Sequence, residues 1–552
     1  MLSYVSRLKL SALGVALGLL FFAASLTPSM IPKSAVLFGV LGGLAMTIGY
    51  LIAVVLIGLW HYMQLPVTHS KIGRGLVRSA LTLMGIAALI WGLMIHRPGQ
   101  DSIRALMGME PLGSGHEVLV LAVSAAVFMV LLLLGRIFLF FIRRLDSPLA
   151  RFVPPRVAIA LSIVVVATFS WYVSNGVLLR WGLNTVDSAL AEVDALIDPA
   201  ISAPTNPLRS GSPASLIGWE TMGARGRSFA AGGWDAIAIS EFYSDAQADD
   251  YEVLDPIRIY AGLNSAETIE ARAQLVLDEM IRTKAFERSA VVIATPTGTG
   301  WVDEAAVDPL EVLFRGDIAI VSMQYSYLMS PLALFVEPDV APDSARALVR
   351  AVQGYWSKLP EATRPKLYLF GLSLGSYGSE QALSLIDWMD DPASGALWSG
   401  PTYGNVLWKQ LTHSRTPGSL VWLPKIGDGK TVRFTTQENA LIEPGKVWTD
   451  PRIVYLQYPS DPITFFETSL AVRPSDWMIE KRAPDVSDLV RWYPIVTMLQ
   501  LGIDMLAAAD VPAGYGHLFA ASHYIDAWVA LSEPSNISEA DVTRLKADFA
   551  PK

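Results

Sequence analysis

Cysteine is absent from this chain of 552 residues, and charged residues are scarce. Without cysteine there is no disulfide bond, no cysteine nucleophile and no metal site built on thiolates. Charged side chains make up 17% of the chain, whereas soluble domains average about 25%. The net charge is −9 and the basic residues form no stripe, so nucleic acid is not an expected partner.

Apolar residues are correspondingly abundant, at 52%, and they are concentrated in residues 1–180. Because a spanning helix needs about 20 apolar residues, the pattern predicts five membrane spans. They lie at about 9–29, 34–60, 78–95, 118–141 and 156–178. The first run has features of a signal peptide, but it ends in Thr27-Pro28-Ser29 and four further spans follow it, which favours an anchor.

Lysine and arginine are distributed unequally between the two ends of these spans. Nine lie on the side of the N-terminus, namely Arg7, Lys9, Lys71, Arg74, Arg78, Arg143, Arg144, Arg151 and Arg156. Four lie on the other side, namely Lys33, Arg97, Arg104 and Arg180. The richer side is expected to be cytoplasmic. With five spans the rest of the chain is then outside the cytoplasm, and a miscounted span would reverse this placement.

Residues 181–232 are rich in Pro, Ser and Gly, which is typical of a linker or boundary segment. Residues 233–552 have an ordinary soluble composition and form the predicted catalytic domain. The predicted strands are 256–260, 290–294, 318–323, 367–370 and 453–458, and the predicted helices are 266–282, 344–359, 376–389, 520–532 and 538–549. This alternation predicts a mainly parallel sheet. Residues 391–450 interrupt it and are either a cap over a site or an ordinary surface insertion.

Residues 371–375 read Gly-Leu-Ser-Leu-Gly, which matches the pattern G-x-S-x-G. The match lies between a predicted strand and a predicted helix, the context in which the serine of an α/β-hydrolase occupies a strained turn. Ser373 is therefore the predicted nucleophile, and the helix N-terminus beside it favours an oxyanion. The alternative is a serine that caps a helix in a Gly-rich loop.

A serine nucleophile needs a base, and the order along the chain in this fold is serine, acid, histidine. Of the seven histidines, His517 lies in a loop before the final helices and is the favoured base. His523 falls within a predicted helix, and His413 precedes the acid. Asp461 follows the predicted strand 453–458 and is the predicted acid, which would orient the imidazole. The alternative for this aspartate is a turn-forming residue before proline.

An oxyanion hole needs backbone N–H donors. One is predicted at Leu374, directly after the nucleophile. The other is predicted in the loop after strand 290–294, where Gly298 and Thr299 are the preferred positions. The alternative is a plain Gly-rich turn. The two carboxylates that follow this loop lack a suitably spaced histidine or third carboxylate, so neither a metal nor another cofactor is expected.

Several segments resemble those of a bacterial family of membrane-anchored α/β-hydrolase-like proteins, over nearly the whole chain. They are Ser210-Gly211-Ser212-Pro213-Ala214-Ser215, Thr297-Gly298-Thr299-Gly300-Trp301, Gln324-Tyr325-Ser326-Tyr327-Leu328, Ser373-Leu374-Gly375-Ser376 and Gly516-His517. The resemblance implies an N-terminal α-helical transmembrane bundle over 1–180, a C-terminal α/β-hydrolase fold and location in a bacterial inner (plasma) membrane. The sequence departs from the family pattern at Leu372, where Glu is common, and at Tyr515, where His is common. The second departure leaves His517 as the retained histidine.

Together these features predict a membrane-anchored serine hydrolase of the esterase or lipase type. It would cleave an ester of a lipid or an acylated envelope component through an acyl-enzyme on Ser373. The expected partners are the lipid bilayer and this acyl-ester substrate, and no pattern indicates an oligomeric state. An acyltransferase would use the same acyl-enzyme with an alcohol as acceptor. A non-catalytic scaffold that retains the fold is a further alternative, against which the intact Ser373, Asp461 and His517 argue.

Overall fold

The computed structural model describes residues 10–66, 70–149, 151–172, 190, 192–244, 252–330, 333, 336–383, 391–443, 445–535 and 537–550. The chain divides into two compact units. The helical unit comprises Met1–Thr185 and Phe466–Pro512, and the α/β unit comprises Val186–Phe465 and Ala513–Lys552. The predicted catalytic domain, 233–552, included 466–512, and the structure groups that segment with the N-terminal helices instead. The N-terminal end of the first predicted span, the end of the fifth, and most of 181–191 lie outside the described residues.

The helices and strands are numbered in chain order. The helices are α1 (Ala12–Ser25), α2 (Ala35–Tyr62), α3 (Lys71–Leu106), α4 (His116–Leu149), α5 (Pro155–Trp171), α6 (Gly223–Ala231), α7 (Ala236–Tyr243), α8 (Ile269–Arg282), α9 (Glu304–Leu313), α10 (Val340–Trp356), α11 (Leu374–Ala382), α12 (Val406–His413), α13 (Pro462–Phe465), α14 (Asp476–Ile479), α15 (Val496–Asp504), α16 (Ala521–Ser532) and α17 (Glu539–Asp548). Short 3₁₀ turns lie at Trp219–Thr221, Leu263–Ser265, Ala285–Glu287, Thr468–Ala471 and Met505–Ala507. The strands are β1 (Ile257–Ala261), β2 (Ala290–Thr295), β3 (Ile318–Met323), β4 (Lys366–Leu372), β5 (Gly395–Ser399), β6 (Val432–Thr435) and β7 (Arg452–Leu456).

Among the described residues, three helices of the helical unit are long and apolar enough to cross a membrane, over Ala35–Tyr62, Lys71–Leu106 and His116–Leu145. They correspond to the second, third and fourth predicted spans. The helix α1, at the first predicted span, has 14 residues, and α5, at the fifth, has 17 within the described residues. At 1.5 Å per residue α1 extends about 21 Å, which is less than the roughly 30 Å of a bilayer core.

The helices of this unit approach one another closely through glycines. A Cβ built on Gly39 of α2 would lie 2.4 Å from Cβ of Val123 on α4, and one built on Gly43 would lie 2.5 Å from Cβ of Val127. Gly39 and Gly43 are four residues apart and so face the same side of α2. Small residues at such spacing let helix backbones pack closely, as is common in membrane bundles.

The outward faces of the long helices are apolar. Leu56, Leu83, Met94, Val130 and Phe141 are each more than half exposed. A soluble surface rarely carries so many contiguous apolar side chains, whereas a lipid-facing surface requires them. The helical unit is therefore compatible with membrane anchoring.

The segment 466–512 is built into the core of the helical unit. Its helix α15 packs against α1 and α2, where Leu499 and Ile503 contact the cluster that includes Phe22 and Phe38. The carboxylate of Asp504 forms a fully buried ion pair with Lys33. A buried carboxylate is tolerated only when it is paired and hydrogen-bonded, so this pair fixes where the segment docks.

The α/β unit contains a seven-stranded parallel sheet in the order β1-β3-β2-β4-β5-β7-β6. The central strands are mostly apolar, and β2 and β3 are buried along their whole length. Such sequences suit strands that are covered by helices on both faces. The predicted fold class, a helical region followed by an α/β-hydrolase unit with a parallel sheet, is confirmed.

The prediction of 391–450 as a cap or surface insertion needs correction. The strands β5 and β6 both lie within this range, and β5 pairs with β4 on one side and with β7 on the other. The range therefore contributes one interior strand, β5, and one edge strand, β6, to the sheet. Strand β5 was not recognised because it is five residues long and is flanked by Pro392 and Gly400, which are typical of loops.

Candidate active site

The predicted nucleophile lies on a strained turn between β4 and α11. Ser373 has φ 57° and ψ −121°, a conformation that L residues rarely adopt and that costs about 1–3 kcal/mol. A Cβ built on Gly371 would lie 2.3 Å from the carbonyl oxygen of Gly375, and one built on Gly375 would lie 2.2 Å from that of Thr295. Both glycines of the G-x-S-x-G pattern are thus required by close backbone contact, and the turn holds Ser373 at the N-terminus of α11.

The predicted acid and base are joined by a hydrogen bond. The Nδ1 atom of His517 lies 2.7 Å from Oδ2 of Asp461. Asp461 is fully buried, and its carboxylate also accepts hydrogen bonds from the backbone N–H of Ile463 at 2.9 Å and from Oγ1 of Thr464 at 3.0 Å. Three donors therefore converge on this carboxylate. Because an ionised carboxylate only accepts hydrogen bonds, the neutral imidazole of His517 carries its proton on Nδ1 and donates it to Asp461 in the hydrogen bond.

The dipeptide Ser399-Gly400, at the carboxyl end of β5, connects this pair to the nucleophile. The carbonyl of Ser399 accepts a hydrogen bond of 3.0 Å from the backbone N–H of Ser373. A Cβ built on Gly400, whose φ is +49°, would lie 2.4 Å from Cε1 of His517. The imidazole therefore lies directly on the backbone of Gly400. Its Nε2 atom is buried and has no hydrogen-bond partner among the described residues, so it is available to a proton donor.

Two family models match the chain. One, described as "Alpha/beta-hydrolase family", matches residues 257–545, more than half of the chain. The chain belongs to the alpha/beta-hydrolase family. The other, "Alpha/beta-hydrolase family N-terminus", matches residues 26–233. No curated protein and no solved structure matches the chain. The resemblance drawn from the sequence is confirmed at the level of the family, and membership supports a hydrolase-type function.

The oxyanion donors of this alpha/beta-hydrolase were predicted at Leu374, Gly298 and Thr299. Leu374 is the first residue of α11, so its N–H has no acceptor within the helix. Gly298 packs against the backbone near Leu328, and its N–H donates to Oγ of Ser330 at 3.1 Å. Gly298 is therefore not a free donor in this conformation. Leu374 and Thr299 remain predictions.

The other histidines of the α/β unit have different environments. His523 lies on α16, and its Nδ1 is 2.6 Å from Oη of Tyr458. His413 is exposed at the end of α12, where its Nδ1 lies 2.7 Å from the carbonyl of Lys409. His517 is the one among the three whose ring contacts a carboxylate in the described residues.

A second buried carboxylate supports the nucleophile's helix. Glu380 of α11 accepts hydrogen bonds from Nδ2 of Asn405 at 3.0 Å, from the N–H of Leu407 at 2.8 Å and from Oη of Tyr455 at 2.8 Å. Burial raises the pKa of this carboxyl, and the hydrogen bonds oppose that rise. Glu380 therefore fastens the start of α12 and strand β7 to α11.

The prediction from sequence did not include Ser399, Gly400 or Thr464. Ser399 ends a strand that was not recognised and Gly400 follows it, so neither residue could be placed at the carboxyl ends of the parallel strands. Thr464 could have been found, because it lies three residues after Asp461 and such a spacing lets a hydroxyl contact the preceding carboxylate at a helix start.

Proposed function

We propose that this protein is a membrane-anchored serine hydrolase that cleaves a carboxylic ester of a lipid or of an acylated envelope component. Ser373 would be the nucleophile, His517 the general base and Asp461 the residue that orients the base. The observation that carries the proposal is the 2.7 Å contact between His517 and a buried aspartate, beside a strained serine turn and with Nε2 unpartnered among the described residues.

The reaction follows from the proton positions. With its proton on Nδ1 and donated to Asp461, the imidazole presents a lone pair on Nε2, which takes the proton of Ser373 Oγ as Oγ attacks the ester carbonyl. The ester oxygen becomes an oxyanion near the N–H of Leu374. When this tetrahedral intermediate collapses, its bond to the alcohol oxygen breaks and the alcohol leaves with the proton from Nε2. The acyl group remains bound to Oγ of Ser373 as the acyl-enzyme. Water, deprotonated by the same Nε2, then releases the carboxylic acid.

Membrane anchoring is supported by the exposed apolar faces of α2, α3 and α4. An anchored catalytic unit meets esters of the bilayer at high local concentration, which favours a lipid or acylated substrate. Since α2 begins on the side with four basic residues, three spans alone would return the chain to the cytoplasmic side. Placement of the catalytic unit outside the cytoplasm therefore requires that α5 also crosses.

Labelling with a fluorophosphonate, which reacts with activated serines, tests the catalytic proposal. The detergent-solubilised wild type is expected to be labelled, and Ser373→Ala is expected to lose the label. Ser379→Ala is a matched control, because Ser379 is a buried serine of the same helix whose Oγ accepts from Nε1 of Trp398. Labelling that survives in Ser373→Ala, or that never occurs in folded wild type, would contradict the proposal.

Product analysis then separates hydrolysis from acyl transfer. The unlabelled protein is incubated with an acyl ester, with and without an added alcohol. Free carboxylic acid as the product in both samples supports the hydrolase, whereas a new ester formed at the expense of the acid would identify a transferase. Accessibility of a cysteine introduced after α5, in a chain that has none of its own, reports whether α5 crosses.

A further inference from the structure

The loop that carries the candidate base is fastened to the segment that carries the acid. The backbone N–H of Gly516 donates to Oγ of Ser460 at 3.0 Å, and the N–H of Ala520 donates to Oη of Tyr458 at 3.0 Å. These two hydrogen bonds lie on either side of His517 along the loop. The position of the imidazole therefore depends on Tyr458 and Ser460 as well as on the acid.

The ring of Tyr458 also supports the imidazole through an aromatic side chain of the same loop. Tyr458 is fully buried, and its ring stacks on that of Phe519 with the centroids 4.4 Å apart. The ring of Phe519 meets the imidazole of His517 edge-on, at a centroid distance of 5.7 Å. A Cβ built on Gly400 would lie within 3 Å of both rings. A displaced Tyr458 would therefore move the loop and the ring that contacts the imidazole.

The hydroxyl of Tyr458 has a second partner, His523, on the first turn of α16. Nδ1 of His523 lies 2.6 Å from Oη of Tyr458. Because Oη already accepts the N–H of Ala520, we assign the hydroxyl proton to the bond with Nδ1, which then carries no proton of its own. His523 is neutral in this arrangement, with its proton on Nε2. Its Nδ1 lone pair thus turns the lone pair of Oη toward the loop.

The surroundings of His523 keep its imidazole neutral. Burial lowers the pKa of His523 below its usual value. Asp526 of the same helix raises the pKa and Lys546 of α17 lowers it, and these two charges are paired with each other at 2.6 Å. Their effects therefore largely cancel, and at neutral pH Nδ1 is an acceptor.

We propose that Tyr458 and His523 are positioning residues for the catalytic base, and that the acceptor at Nδ1 of His523 fixes the hydroxyl of Tyr458 on the loop that carries His517. This inference rests on the proposed function of Ser373 and His517. Both residues act through the backbone of the loop and through Phe519. Neither is assigned a proton transfer to or from the substrate.

The test compares kcat and KM for a chromogenic ester in the full-length, detergent-solubilised protein. His523→Leu removes the acceptor, and Tyr458→Phe removes the hydroxyl. Each change is expected to lower kcat about two- to tenfold, which is the effect of one neutral hydrogen bond, and to leave KM nearly unchanged. His523→Asn is expected to retain the wild-type kcat, because the carboxamide oxygen of asparagine can take the place of Nδ1 and accept the same proton.

The double variant Tyr458→Phe with His523→Leu tests whether the two residues act as one unit. Its kcat is expected to be no lower than that of Tyr458→Phe, because without the hydroxyl His523 has nothing to orient. Two variants are matched controls, and both are expected to retain the wild-type kcat. Tyr243→Phe removes a buried hydroxyl that donates to a backbone carbonyl of α9, and His413→Leu removes an exposed imidazole that contacts a backbone carbonyl of α12.

Three outcomes would overturn the inference alone. They are a wild-type kcat in His523→Leu, an equal loss in His523→Leu and His523→Asn, and losses at Tyr458 and His523 that multiply in the double variant. His523 is only partly buried, so its two variants decide the matter even if Tyr458→Phe does not fold. Wild type that is folded but neither hydrolyses the ester nor reacts with fluorophosphonate would overturn the proposed function as well, so the behaviour of wild type distinguishes the two failures.

Discussion

Replacing Asp461 with asparagine should invert the tautomer of His517. The carboxamide can occupy the site in two orientations. With its nitrogen toward Ile463, it would set two donors 2.9 Å apart in a buried site, which costs about 1–3 kcal/mol. The favoured orientation keeps the oxygen on the N–H of Ile463 and turns the nitrogen toward Thr464 and His517. Thr464 can rotate its hydroxyl and accept, but Nδ1 of His517 can accept only by losing its proton.

The imidazole proton then resides on Nε2, the atom that must accept the proton of Ser373. The base is therefore blocked although its position is unchanged. In a serine protease an equivalent change lowers kcat by about 10⁴, which corresponds to about 5 kcal/mol at 1.36 kcal/mol per tenfold change. We expect a loss of similar size here, because the three donors around this carboxylate fix the amide orientation so completely.

The assay is the rate of fluorophosphonate labelling, together with kcat/KM for a chromogenic ester, in detergent-solubilised protein. Thr464→Val is the control, because it removes a second donor from the same oxygen and leaves the tautomer as it is. We expect Thr464→Val to remain within about tenfold of wild type, since it loses one neutral hydrogen bond. An Asp461→Asn protein as active as the control would refute the assignment of His517 as the base oriented by Asp461.

Three further predictions concern other parts of the molecule. Gly400→Ala should lower labelling of Ser373 by about 100-fold, because its Cβ would displace the imidazole that lies 2.4 Å away; an unchanged rate would contradict the contact. Asp504→Ala should destabilise the helical unit by about 3–5 kcal/mol, because it leaves the buried charge of Lys33 without its ion-pair partner. Thermal unfolding measures this loss of stability. The double change Lys33→Met with Asp504→Leu should recover most of it. Burial raises the pKa of Asp303, the N-cap of α9, from 3.8 to about 7. The folded state therefore favours the protonated carboxyl, and wild type should lose up to about 4 kcal/mol of stability relative to Asp303→Asn as the pH rises from about 4 to about 7. A constant difference in melting temperature between the two proteins would contradict this.

The sequence was most informative where a pattern has one structural meaning. Apolar runs predicted β2, β3 and β4, and each is a parallel strand that is buried apart from Lys366 at the start of β4. The pattern at 371–375 predicted a strand–turn–helix, and the turn is present with both glycines in close contact. The order of residues in the fold selected Asp461 and His517 among all carboxylates and histidines, and the structure places them within hydrogen-bond distance.

Other features depend on distant parts of the chain and could not be predicted locally. The segment 466–512 is apolar near 495–503 because it packs on α1 and α2, which lie more than 400 residues away in the sequence. The N–H of Gly298 is taken by Ser330, a residue with no motif to mark it. The strand β5 is short and flanked by loop-forming residues, and its place in the sheet is set by its neighbours β4 and β7.

The place of β5 explains why the site needs a glycine after it. Parallel strands lie about 4.8 Å apart, so β4 and β7, which are separated by β5, are roughly 10 Å apart at their carboxyl ends. Ser373 follows β4 and Asp461 follows β7, and neither side chain spans that gap alone. The imidazole must lie over the end of β5 to connect them. Any side chain at Gly400 would occupy that space, since its Cβ would already be within 3 Å of both Cε1 and Nδ1 of His517.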